Sequence, residues 1–270
     1  MTSSKKEPSK PSRTLRMLAS GCGLAILTSC SKHPPNTFTF TADLPPDFAY
    51  VAVVYYGPEK GETCTVDRRE NIAPVFNSQW RTEYKPDAEI TIRRTRKGCP
   101  LVIKRIALQI KSAYGKDWSD ISGDEAMVFV RNDLSELDEP FRNTFNAAGE
   151  HTFYGQCQWW FRTMGKPRIL RKLLDCKASD PQETRGLGKA FGAYTLDQLP
   201  GKTVRMRIRL DKEEEPGWVD TWVKVPNGWK RCLGKGYEEE NAYCNGNYTD
   251  FSTFKMVDGR TCTIYPGCTE

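Results

Sequence analysis

The chain has 270 residues, with 40 lysines and arginines against 34 aspartates and glutamates. Five of the basic residues and one acid precede residue 30, so the body beyond carries 35 against 33. That near-neutrality leaves no basic footprint for a nucleic-acid partner, and abundant Gly, Pro and aromatics point to β structure.

The first element is not part of the body. Lys5, Lys6, Lys10, Arg13 and Arg16 lead into an apolar run that starts at Met17 and closes on Leu27-Thr28-Ser29-Cys30. A charged start, a short apolar middle and small residues before a cut mark an export signal. The run of about 13 residues is too short for a spanning helix, which needs roughly 20. With cysteine directly after Leu-Thr-Ser, the segment resembles a bacterial lipoprotein signal. The resemblance implies cleavage after residue 29, a lipid on Cys30, and a body held to the cell envelope and facing the periplasm. Ser31 after the cysteine favours the outer membrane by the same resemblance. Residues 30–36, with His33 and Pro34-Pro35, read as a short polar tether.

Next come strands. Thr37–Thr41 alternates, and Tyr50–Tyr56 is β-branched and aromatic up to Gly57-Pro58. Glu89–Arg94 turns Ile90 and Ile92 inward. Leu101–Tyr114 puts Ile106, Leu108 and Ile110 on one face, and Ala126–Val130 is another apolar run. These strands predict a β-sandwich-like module over 37–135. The acidic, turn-rich stretch 136–150 reads as a linker, or equally as a loop within one sheet.

The second β-rich module, 151–270, opens on a hairpin. Phe153–Thr163 and Arg168–Lys177 flank Gly165-Lys166-Pro167. A turn centred between Lys166 and Pro167 sets Cys157 against Cys176, Trp159 against Leu174 and Trp160 against Leu173. It also sets Arg162 against Arg171, a costly like-charge pair unless an acid lies near. Neighbouring Trp159 and Trp160 must face opposite sides of a strand. Arg185–Gly192 is glycine-rich, but its G-x-G-x-x-x-G spacing and the Ala190 after Lys189 fail the phosphate-loop patterns. It is a loop. In Val204–Leu210, Val204, Met206, Ile208 and Leu210 turn inward, with Arg205, Arg207 and Arg209 outward where Glu213-Glu214-Glu215 can neutralise them. Trp218–Val225 and Trp229–Cys232 continue as strands across Pro226-Asn227-Gly228. The Gly-, Asn- and Tyr-rich tail after Gly234 buries little by itself.

Eight cysteines remain beyond Cys30: Cys64, Cys99, Cys157, Cys176, Cys232, Cys244, Cys262 and Cys268. An even set in an exported chain reads as a disulfide framework. Metal binding is the rival, but no C-x-x-C occurs after the signal, and His33 and His151 are the two histidines. Cys64–Cys99 is the economical pairing in the first half, and the hairpin register pairs Cys157 with Cys176. The last four read as Cys232–Cys244 with Cys262–Cys268, or nested as Cys232–Cys268 with Cys244–Cys262. The expected fold is therefore all-β: two disulfide-stapled, sandwich-like modules of mainly antiparallel strands.

Tools for catalysis are scarce. His151 is the lone histidine of the body, no G-x-S-x-G surrounds a serine, and paired cysteines are not nucleophiles. We therefore expect no enzyme, no cofactor and no metal, but a protein that binds a protein partner, with Trp160, Trp229, Tyr237, Tyr243 and Tyr248 as candidate contacts. The stretches Lys97–Tyr114 and Cys157–Lys177 are similar to segments of lipoproteins encoded beside type VI secretion lipase effectors. That similarity implies an immunity protein against a secreted toxin. A structural or assembly lipoprotein of an envelope machine and a carboxylate-based envelope hydrolase are the alternatives.

Overall fold

The computed structural model describes residues 34–67, 72–74, 79–80, 87–135, 144–236 and 238–269. Cys30 and Tyr237 lie outside the described residues. Strands run in chain order as β1 (Thr37–Asp43), β2 (Phe48–Pro58), β3 (Ile72–Pro74), β4 (Gln79–Trp80), β5 (Asp87–Thr91), β6 (Arg93–Arg96), β7 (Cys99–Ala113) and β8 (Ile121–Arg131). Then come β9 (Glu150–Met164), β10 (Ile169–Ser179), β11 (Phe191–Thr195) and β12 (Thr203–Leu210). Short strands end the chain: β13 (Glu215–Pro216), β14 (Trp222–Val225), β15 (Gly228–Cys232), β16 (Phe251–Ser252), β17 (Phe254–Lys255), β18 (Thr261–Cys262) and β19 (Tyr265–Pro266).

The fold is all-β. A larger sheet has the order β18-β17-β10-β9-β12-β1-β5, with β13 beside β9. A second has β11-β8-β7-β2-β3, with β4 on β2 and β6 on β7. A small third sheet joins β14, β15, β16 and β19. The two large sheets share one core: Phe40 of β1 meets Tyr50 of β2 edge-on, ring centres 6.0 Å apart, among Ile106, Leu108, Val128, Met206 and Ile208. Alternation explains which residues enter it, since in β12, in β2 from Tyr50 and in β7 from Ile106 every second side chain is buried.

The expected two modules are not what forms. Pro34–Glu270 is one compact unit, and its sheets interleave both sides of the supposed linker. β1 lies between β5 and β12, pairing parallel with β12 from Thr39↔Thr203 to Asp43↔Arg207. β11 joins the other sheet parallel to β8. The reason is that the centre of the larger sheet, β9-β12-β1, is parallel. Parallel neighbours need long crossovers, so distant stretches of chain meet there. Glu89–Arg94 is likewise two strands, for the chain leaves the larger sheet at Ile92 and enters the second as β6.

Around the tight turn at 165–168, β9 and β10 pair as the spacing predicts, from Ile169↔Met164 through Leu173↔Trp160 and Leu174↔Trp159 to Cys176↔Cys157. All four disulfides are present: Cys64–Cys99, Cys157–Cys176, Cys232–Cys244 and Cys262–Cys268, so the nested alternative does not form. Trp159 turns into the core against Tyr114, 5.5 Å between rings. The like-charge pair is relieved, because Arg171 donates to the buried Asp120 at 2.8 Å. Two of the β12 arginines are answered by Asp43, 2.9 Å from Arg207 and 3.1 Å from Arg209, and not by Glu213–Glu215. Leu210, expected inward, is exposed at the strand's end.

A satellite core forms where β9 runs past the main one. Phe161 packs against Trp222, Trp229 and Tyr265, with ring centres 5.0, 5.9 and 4.4 Å away. Cys262–Cys268 and Phe254 close it.

Candidate interaction surface

The surface that stands out is a turn at the far end of β9. β13 pairs with Trp160 and Phe161, and the Gly217 amide then donates to the Phe161 carbonyl at 2.8 Å. This holds the segment on the outer side of β9. The chain reverses at Asp220, whose φ of 61° is left-handed, and the Thr221 hydroxyl donates to the Trp218 carbonyl at 2.7 Å. The reversal leaves Trp218 44% and Val219 90% exposed. Arg162 lies 5.8 Å from the Trp218 ring and reaches the sulfur of exposed Met164 at 3.7 Å.

A second loop is tied to this turn. The Cys244 amide donates to the Asp220 carbonyl at 2.7 Å, and the Asn245 amide donates to the Asp220 carboxylate at 3.1 Å. The Tyr248 hydroxyl bonds the same carboxylate, which holds that phenol above its ordinary range. Tyr248 and Tyr243 are exposed, and Cys232–Cys244 anchors the loop to β15. Aromatic and aliphatic side chains are therefore presented to solvent on a backbone locked by a disulfide and five hydrogen bonds.

The expected contacts divide accordingly. Tyr243 and Tyr248 are on this surface, and half-buried Trp160 borders it, with its indole donating to Gln158 at 3.2 Å. Trp229 does not belong to it: its ring packs on Phe161 and carries Lys224 at 5.5 Å, so it serves the satellite core. Trp218 and Val219 were missed, since Trp218–Val225 reads as a strand, whereas the strand starts at Trp222. Pro216-Gly217 was the signal: a turn pair places the residues beyond it outside the ladder.

A separate cleft of about 530 Å³ opens between the start of β9, the end of β10 and the glycine-rich loop before β11. His151 and Tyr194 meet at its wall, with the histidine Nδ1 2.7 Å from the buried tyrosine's hydroxyl. Burial lowers the histidine's pKa and raises the phenol far above its usual range, so the pair is neutral near pH 7. His151 is half-buried against Phe145 and Tyr194. Lys189 of the loop is ion-paired with Asp124, and Asp180, the one carboxylate among the described lining residues, accepts from the Thr184 amide at 2.8 Å. No protein-family model, no curated protein and no solved structure matches this chain.

Proposed function

We propose that the protein is a membrane-anchored, periplasm-facing lipoprotein that binds a protein partner through the Trp218–Val219 turn and performs no chemistry of its own. In its most specific form it is an immunity protein neutralising a type VI secretion lipase effector. The observation that carries the binding reading is the rigid exposure of Trp218 and Val219 beside Tyr248. Exposed apolar groups in a group of this kind mark contact sites, and aromatic anchors that need no ordering lose less entropy on binding.

Val219→Asp and Trp218→Ala should each weaken binding to the product of the adjacent gene by about 2 kcal/mol or more, the hot-spot range, while the unfolding midpoint stays in place. Unchanged affinity in titration calorimetry, with both variants folded, would refute this surface. Unchanged killing by that product, with the lipoprotein present, would refute the immunity form. The anchor has its own test. Cys30→Ala should leave the protein soluble or unprocessed, and wild-type protein that takes up no fatty-acid label would remove the anchor.

A further inference from the structure

The point where the tether joins the fold is built on the most basic strand of the molecule. Asn36 clamps it three ways. The Ile92 amide donates to the Asn36 carbonyl at 2.9 Å, the Arg93 amide to its side-chain oxygen at 2.9 Å, and its side-chain amide donates to the Arg93 carbonyl at 2.8 Å. From Arg93 the chain runs through Arg94, Arg96 and Lys97 into β7, where Lys104 and Arg105 lie. Residues 90–116 hold eight basic side chains and no acid. Since the chain after residue 29 has 35 basic and 33 acidic residues, everything else carries 27 against 33.

Pairing gathers six of these charges, Arg93 to Arg105, at one end of the sandwich, whereas Lys111, opposite Ala49 and Gly123, lies farther along β7. The Ile103 amide donates to the Ile92 carbonyl at 2.9 Å, and Arg105 stands opposite Tyr55 on one side and Phe129 on the other. Its guanidinium lies 4.3 Å from the Tyr55 ring, and that of Arg94 lies 3.8 Å from the Tyr56 ring. Arg131 leans on Phe129 at 5.5 Å. Arg96, Arg105 and Arg131 are exposed. Acids also stand near this end: Glu59 pairs with Arg93, Glu89 accepts from Thr37 at 2.6 Å, and exposed Asp197 lies two residues past Thr195, the partner of Arg131.

We propose that this arginine-rich end, around β6 and the facing ends of β7 and β8, is a membrane-contact surface for anionic phospholipid headgroups. It rests on the lipid anchor proposed above in one respect. Asn36 is six steps along the chain from Cys30, a span of at most about 20 Å, so an acylated Cys30 would hold this end within reach of the bilayer. Basic side chains near a negative leaflet and tyrosines at headgroup depth are both favoured there. The predominantly acidic remainder would be repelled, so the surface orients the body as well as binding the membrane.

The test uses the chain from Ser31 onward, which has no lipid and keeps the compact unit Pro34–Glu270 whole. It should co-sediment with vesicles of phosphatidylcholine plus phosphatidylglycerol, less so as salt rises, and not with phosphatidylcholine alone. The combined variant Arg96→Gln, Arg105→Gln, Arg131→Gln should bind about 100-fold more weakly, some fivefold per charge. Lys235→Ala with Lys255→Ala, at the other end, should bind as the parent does. Equal binding to both vesicle types, no binding to either, or an unaffected triple variant that is folded by circular dichroism would each overturn the proposal. Fatty-acid labelling of the full-length chain separates the two ideas. A missing lipid removes the anchor and leaves the vesicle result standing, whereas vesicle failure with lipid present removes this surface alone.

Discussion

Arg231→Ala should cost about 3–5 kcal/mol in urea unfolding, the largest single loss expected outside the main core. Arg231 is the largest side chain with no exposure. Its Nε donates to the Thr163 hydroxyl at 2.7 Å, while its terminal nitrogens reach the Ser252 hydroxyl at 3.0 Å and the carbonyls of Cys232 and Glu240 at 3.1 and 3.2 Å. These acceptors belong to β9, β15, β16 and the Cys232–Cys244 loop, so one guanidinium joins four segments. Burial lowers its pKa to about 10, and the charge of nearby Arg168 adds to that. The side chain is still charged at neutral pH and is held by neutral acceptors. Truncation leaves them without their donor in a dry site and opens a cavity. Arg231→Lys should recover little, because an ammonium on a flexible stem cannot fork to four acceptors. A loss below about 1 kcal/mol for the alanine variant would show that these segments hold together by packing alone.

The second large effect is expected at the hairpin. Replacing Cys157 and Cys176 together by alanine should lower stability by about 3 kcal/mol, the chain-entropy value for a loop closed across a sequence separation of 19. Both cysteines are fully buried between β9 and β10 and line the main core. The loss should therefore appear as a shift of the global unfolding midpoint. Peptide mapping without reductant checks the pairing itself, and a Cys157 peptide joined to any other cysteine would overturn the register. A double-alanine variant as stable as its parent would mean that the ladder and the Trp159–Tyr114 contact already fix the hairpin.

How much of this was legible depended on the distance over which the deciding force acts. The β9–β10 register was readable because a local turn sets it and two cysteines report it. Strand faces were readable from alternation at Ile106, Leu108 and Ile110 of β7 and at Val204, Met206 and Ile208 of β12. Alternation says which way a side chain points but not which strand lies beside it. So Thr37–Asp43 gave no sign of its partner Thr203–Leu210, nor Phe191–Thr195 of Ile121–Arg131. Charge was misjudged for the same reason. Glu213–Glu215 is near Arg209 in sequence, yet Asp43 answers it in space, while Glu214 takes Lys172 at 2.7 Å and Tyr265. At the surface, aromatic residue type was a fair guide for Tyr243 and Tyr248. It failed for Trp229, which the satellite core absorbs, and it passed over Val219, whose exposure comes wholly from its turn.

The parallel seam β9-β12-β1 also dictates a timetable. β1 is the first of the described strands to be synthesised, yet one of its two neighbours, β12, follows some 160 residues later. Until then the Phe38–Ala42 edge has no permanent cover on that side, and loop closure over such a span is slow. A chain stopped after β8 would hold all of the second sheet but its edge strand β11, yet would lack β9, β10 and β12 and so could not assemble the larger sheet. If Cys30 is acylated, this waiting takes place at the membrane surface, where an open strand edge is most exposed to wrong pairing. Assembly of the larger sheet therefore waits for residue 210, which ties the protein's yield to how quickly its second half is delivered.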